Sequence, residues 1–259
     1  MAMRIGIAGI TGRMGRLLAE EVGTAGAALA GGIGRAGGPA WGLADIAALA
    51  AASDVVIDFT EAAAAGPHAA ALAGAGTAWV LGTSGLSAED EAAVEAAARA
   101  IPVVYASNFA PGVNLVLLLA ERLGAALPAE AYDAEIVEMH HRQKVDAPSG
   151  TAIGIGRAVA QGRGVALSDV IESGRHGQTG SRKTGAIGFS ALRGGQVVGE
   201  HTLIFASASE HIALSHRAFD RRVYATGAVR AALWLKDRPP GLYGMAEVLG
   251  MAEPGAGSP

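Results

Sequence analysis

The run Arg4-Ile5-Gly6-Ile7-Ala8 leads straight into Gly9-Ile10-Thr11-Gly12-Arg13-Met14-Gly15, after which Leu17, Leu18 and Val22 recur at helical spacing. A buried strand, a glycine turn and a helix, in that order, are the opening of a parallel βαβ unit. They are also the setting that a dinucleotide-binding turn requires. Each glycine has a separate physical reason there. One permits the tight turn, another lets a pyrophosphate approach the backbone, and the last lets helix and strand pack closely. The phosphates would rest on the helix N-terminus, where unpaired N–H groups and the dipole favour anions. The spacing is G-x-x-G-x-x-G rather than G-x-G-x-x-G. An ordinary strand–helix turn is therefore the competing reading, and position at the head of a βαβ pattern favours the dinucleotide.

The alternation continues along the chain. Strands are expected over 27–33, 55–59, 78–81 and 102–105, with an Ala-rich helix after the second of these and another helix over 88–100. The character then changes. An apolar helix is expected over 115–127, a half-buried strand over 134–139 and a helix over 152–159. Strand-like runs follow over 185–192, 197–205 and 210–216 without helices between them. The fold class is thus α/β, a parallel sheet domain followed by an α+β domain with a mostly open sheet. The stretch 225–235 reads as a last strong helix, and 253–259 as a frayed tail.

Composition narrows the function classes. A net charge of −4 argues against a nucleic-acid surface but leaves room for a local cationic pocket. The absence of cysteine excludes disulfides, thiol catalysis and Cys-ligated zinc, and suits a reducing cytoplasm. No signal peptide is apparent, and the Ala/Gly stretch over 62–82 is broken by Pro67 and His68, against a membrane span. In a dinucleotide fold the second strand ordinarily ends in an acid that holds the ribose hydroxyls. Here Gly31-Gly32-Ile33-Gly34-Arg35 has none. Arg35, aided by Arg13, would instead meet a 2′-phosphate, which favours NADPH over NADH.

The most informative stretch is Glu138-Met139-His140-His141-Arg142-Gln143-Lys144-Val145-Asp146-Ala147-Pro148-Ser149-Gly150-Thr151-Ala152. It sets two histidines, an arginine and a lysine in five positions, then a turn that opens a helix with Ser149 as N-cap. A helix N-terminus beside Lys144 and the histidines is a ready carboxylate site. A histidine can supply the proton that accompanies hydride addition to a conjugated imine. No helical His/Glu spacing accompanies the pair, so no metal site is expected. A solvated basic strand end fits poorly with so many special residues ahead of a helix cap.

The stretch 138–152 resembles the signature of the 4-hydroxy-tetrahydrodipicolinate reductases. So do the 9–15 loop, Asp58-Phe59-Thr60, Gly82-Thr83-Ser84-Gly85, Ser107-Asn108-Phe109, Gly112-Val113-Asn114, Val198-Gly199-Glu200-His201-Thr202 and Gly227-Ala228-Val229-Arg230-Ala231-Ala232-Leu233-Trp234. The resemblance spans nearly the whole chain. It implies His140 as proton donor or acceptor, and Lys144 as a proton donor that also binds substrate. His141, Gly150 and Thr151 would hold a substrate carboxylate. Gly9, Ile10, Thr11, Gly12, Arg13, Met14, Arg35, Gly82, Thr83, Ser84, Ala106, Ser107, Asn108 and Phe109 would line the site of NADPH or NADH. It further implies a Rossmann-type domain over 1–110 and 218–259, and an inserted substrate and tetramerisation domain over 111–217. Hinges would lie near 109–112 and 217–221.

Two departures stand out. Gly34 takes the place of a common acid, and Ser84 that of a common threonine. The implied reaction is NAD(P)H-dependent reduction of a cyclic dicarboxylate on the diaminopimelate and lysine pathway, by a cytoplasmic homotetramer. The alternatives are a dehydrogenase of the aspartate or homoserine type, against which the His-His…Lys…Pro-Ser-Gly-Thr run counts, and a dinucleotide sensor. A sensor would leave the cationic cluster without a purpose.

Overall fold

The computed structural model describes residues 1–34 and 43–252, and they fall into two compact units. One comprises Met1–Pro111 with Arg222–Pro259, the other Gly112–Arg221.

In the first unit the chain runs β1 (Arg4–Ala8), α1 (Arg13–Thr24), β2 (Ala28–Ile33), α2 (Ile46–Ala52), β3 (Val55–Asp58), a 3₁₀ turn (Ala62–Ala64), α3 (Ala65–Ala75), β4 (Ala78–Leu81), α4 (Ala88–Ala98) and β5 (Pro102–Tyr105). In the second it continues through α5 (Pro111–Ala126), β6 (Asp133–His140), α6 (Gly150–Gly162), α7 (Leu167–Val170), β7 (Ile171–Ser173), β8 (Ile187–Arg193), β9 (Gly199–Ala206) and β10 (His211–Ala218). It returns to the first with α8 (Arg222–Trp234), β11 (Gly241–Tyr243) and α9 (Met245–Val248).

The first unit's sheet is parallel, in the order β11-β5-β4-β3-β1-β2. Its strands are apolar on both faces, as a sheet covered on both sides demands. Ile5, Ile7, Val55, Ile57 and Val80 face α1 and α8, where Leu18, Val22, Ala228 and Val229 complete one core. The alternate residues Val56, Trp79, Leu81 and Val103 pack on Leu49, Leu72 and Val94 of α2, α3 and α4.

The second unit has a mixed sheet, β10-β9-β6-β8-β7. Strand β6 lies at its centre, antiparallel to β9 on one side and parallel to β8 on the other. The chain order β8, β9, β10 suggests a simple meander, but β8 and β9 do not pair, because β6 is inserted between them. Helix α6 is the crossover from β6 towards the parallel strand β8. Its N-terminus therefore stands just beyond the C-terminal end of β6. One face of the sheet is covered by Val116 and Ala120 of α5 and by Ala152, Ile155 and Val159 of α6. These meet Ala134, Ile136, Phe189, Leu203 and Phe205.

The sequence-based element boundaries hold to within a few residues, except that α5 starts at Pro111 and α6 extends to Gly162. Strands β7 and β11 were not expected; three residues each are too few to show a period.

Candidate active site

In the first unit the glycine turn is tied to the second strand: the amides of Gly9 and Ile10 both donate to the carbonyl of Ile33, at 2.9 and 3.0 Å. Gly9 sits at φ +86°, and a side chain there would also strike the carbonyl of Phe59. Helix α1 begins at Gly12 with no side-chain cap. Its positive end is thus left to a ligand rather than closed by the chain. A cavity of about 530 Å³ opens here, lined by Gly9, Thr11, Gly12, Ile33, Gly34 and His68 among others. Thr83, at the end of β4, is 4% exposed, and its hydroxyl has no hydrogen-bond partner. An uncapped helix start with a cavity beside it fits the phosphates of a dinucleotide.

The structure separates the expected cofactor residues by what each can offer. Ile10 and Phe109 are buried in the core, so only their backbones are available, and the Ile10 amide is already taken by Ile33. Thr11 lines the cavity, and Gly12 and Arg13 are exposed at the head of α1, while Met14 packs against the core. Gly82 passes under the Phe59 ring, Ser84 and Ser107 are exposed, and Ala106 and Asn108 are partly buried. Arg35 lies outside the described residues.

His68 was not singled out by sequence, yet it lines the same cavity. Its Nδ1 is 2.6 Å from Asp58, which also accepts from the Thr60 hydroxyl at 2.6 Å. An acid at a strand end followed ten positions later by a histidine on the next helix was the available signal.

The second unit carries the histidine cluster. In β6 the residues Ala134, Ile136, Glu138 and His140 are all buried, and their neighbours on the other face only partly so. The first two belong to the core, and the last two continue the same stripe as polar groups at the strand's end. Register then supplies their surroundings: Glu138 is opposite His201 of β9, and His140 opposite Arg193 of β8.

The Glu138 carboxylate is surrounded by donors. Its Oε2 is 2.6 Å from His140 Nδ1 and 2.7 Å from an Arg193 amino group, and its Oε1 accepts from the other Arg193 amino group at 2.8 Å and the Ser149 amide at 3.1 Å. Burial opposes the charged form of Glu138, but the bonds from Arg193, His140 and the Ser149 amide outweigh it and hold its carboxyl below the usual range. Ser149 caps α6 by accepting from the Ala152 amide at 3.1 Å, and its hydroxyl lies 2.9 Å from His201 Nε2. The Ile153 amide goes to the Ser149 carbonyl, so Gly150 and Thr151 stand ahead of both capped amides at the helix's positive end. Lys144 is held 2.8 Å from Asp146, and His141 Nδ1 is buried without a partner. Among the described residues no group of His, Asp or Glu is placed to hold a metal ion.

His201 meets His140 edge to face, with ring centroids 5.1 Å apart. Burial, followed by the nearness of His140, pushes the His201 imidazole down to about 4 from 6.5, and Glu138 opposes the shift without cancelling it. Because the unfolded chain binds a proton that the folded one refuses, stability falls as pH drops from about 6.5 towards 4. The loss should reach roughly 3 kcal/mol at ~1.4 kcal/mol per unit. His201→Gln, which can still accept from Ser149, should show a smaller drop in urea midpoint between pH 7.5 and pH 5 than the parent. Equal drops in the two proteins would rule His201 out as the source.

Comparison with known proteins matches both halves of the chain to one family. Residues 3–109 match the model for the N-terminus of dihydrodipicolinate reductase, and 112–249 that for its C-terminus. The chain belongs to the dihydrodipicolinate reductase family. It is 66% identical to the 4-hydroxy-tetrahydrodipicolinate reductase of Granulibacter bethesdensis over 258 residues, covering 96% of this chain and 98% of that one. The enzyme of the same name from Acidiphilium cryptum is also 66% identical, over 249 residues, with the same coverage. Among solved structures, a dipicolinate-bound dihydrodipicolinate reductase from Paenisporosarcina sp. TG-14 superposes with a TM-score of 0.78 at 23% identity, covering 95% of this chain and 99% of that one. That likeness establishes the shared fold. The family match makes the chain an oxidoreductase and disfavours the aspartate or homoserine dehydrogenase and sensor readings. Among the described residues no helix is long and apolar enough to cross a membrane.

Proposed function

We propose that the chain reduces 4-hydroxy-tetrahydrodipicolinate to tetrahydrodipicolinate with NAD(P)H, the first unit holding the dinucleotide and the second the cyclic dicarboxylate. The observation that carries the reading is the convergence at the end of β6. His140, Lys144 and the start of α6 lie within one short segment, on a chain 66% identical to reductases of that name. When bound, the nicotinamide supplies the hydride that reduces the ring after its hydroxyl has left as water. The chain's own contribution is to bind, orient and protonate. His140 delivers a proton from Nε2 to the ring carbon next to the one that receives hydride, completing a two-electron reduction. Lys144, His141 and the amides of Gly150 and Thr151 hold the carboxylates.

Lys144 has to leave Asp146 to reach a substrate carboxylate, so its contribution is to both binding and turnover. Lys144→Ala should raise KM and lower kcat, each by about tenfold or more. A change in neither constant would remove it from the site.

On the cofactor side, the proposed contacts are Gly9 to Met14, Arg35, Gly82 to Ser84 and the backbone at 106–109. The lack of an acid at the end of β2 supports NADPH as the preferred form. The homotetramer is proposed from the resemblance to the reductase family alone. The absence of cysteine is compatible with a cytoplasmic enzyme of diaminopimelate and lysine synthesis.

The deciding experiment follows NADPH and NADH oxidation with substrate generated in situ from pyruvate and aspartate semialdehyde. Oxidation that requires the coupled synthesis is expected, faster with NADPH. Cofactor binding without turnover, with the coupling enzyme active, would overturn the reading.

A further inference from the structure

We propose that Glu138 is the positioning residue of the active site, a dedicated orienting carboxylate that fixes the tautomer and direction of His140. The inference rests on the role given to His140 above. Glu138 is 1% exposed, and its two oxygens meet donors from three elements. Those donors are His140 on its own strand, both amino groups of Arg193 at the end of β8, and the Ser149 amide at the cap of α6. An ionised carboxylate offers about four acceptor positions, and here each has a partner. It has no free position from which to bind substrate or to shuttle a proton, which leaves orientation as its task.

The assignment of the proton follows from the same count. A carboxylate held ionised by a guanidinium can only accept, so His140 Nδ1 must donate to it. With Nδ1 engaged by Glu138, Nε2 is left as the nitrogen that gains and loses a proton. The groups around the ring are consistent with this role. Gly199 lies beneath Nε2, where even a methyl group would come within 3.0 Å. His201 touches the ring edge to face, and it is kept neutral by burial, so it does not repel a protonated His140. Arg193 positions Glu138 in turn: it also donates to the carbonyls of Asp146 and Leu192 and so ties the 141–149 loop to β8.

A buried ion pair with a purely structural purpose would show the same distances, so the test must read something that such a pair does not control. The first readout is the ¹⁵N spectrum of the histidine rings in the unaltered protein, with His140 assigned by its loss in His140→Ala. The expected result is a neutral His140 protonated on Nδ1. A ring protonated on Nε2 would overturn the proposal, and this arm needs no Glu138 variant to fold.

The second readout is kinetic. Glu138→Gln keeps the shape of the side chain but can donate to Nδ1 through its amide, so the tautomer is no longer fixed. We expect kcat to fall about 10²-fold with KM within about threefold. Combined with His140→Ala, the substitution should cost nothing further, because it acts through a group already removed. Multiplying losses in the double variant would overturn the proposal. Near-normal kcat in His140→Ala alone would instead overturn the catalytic assignment of His140, and the ring spectrum would still decide whether Glu138 orients it.

Discussion

Replacing His140 by alanine should lower kcat by about 10²- to 10⁴-fold with little change in KM. The range is that of general acid catalysis by a positioned side chain. The remaining activity would come from holding hydride donor and ring together. The fold should survive the change. His140 lies at the end of the buried stripe of β6, after Ala134 and Ile136, so the core layer below it is undisturbed. Glu138 would lose one donor and keep Arg193 and Ser149, so no buried charge is left unpaired. A circular-dichroism melt close to the parent's, with kcat measured under saturating cofactor, checks both halves of this expectation. A variant with normal kcat would force the proton onto another group, and Lys144, held near Asp146, would be the next to examine.

Much of this site was legible in the chain because its residues are close in sequence. The stretch 138–152 places the histidines, the lysine and the helix cap together before any fold is known. The alternation over 134–139 also gave β6 as a half-buried strand. Which partners would stand beside it was a different matter. Arg193 owes its place to the parallel register of β8, and His201 to the antiparallel register of β9. Neither register can be read from strands that look like a meander. Chain order pairs β8 with β9, whereas the sheet puts β6 between them. His68 escaped notice for a related reason, since an alanine-rich helix shows little hydrophobic period to say which side faces the cavity.

The glycine turn yields a prediction of comparable size for stability and cofactor binding. Of its three glycines, the last was expected to let helix and strand pack closely. A Cβ on Gly15 would come within 2.5 Å of the Ile10 Cα and 2.6 Å of its carbonyl carbon, and nearer still to the Gly9 carbonyl oxygen. All of these are backbone atoms, so no side chain can rotate away. The turn cannot retreat either, because Gly9 and Ile10 are both bonded to Ile33 at the end of β2. Helix α1 would have to move outward, lifting Leu18 and Val22 from the core they share with α8. Gly15→Ala should therefore cost at least about 3 kcal/mol and lower Tm by roughly 10 °C. Displacing the head of α1 should also weaken dinucleotide binding at least tenfold, measurable by fluorescence titration with NADPH. The same substitution at Gly23 supplies the control. Gly23 lies in the same helix with nothing within 4 Å of the new methyl group, so alanine there should stabilise the helix by up to about 1 kcal/mol. Opposite signs from one chemical change in one helix would place the effect in the contact with the turn. A similar response at both positions would mean that helix propensity, rather than backbone approach, governs α1.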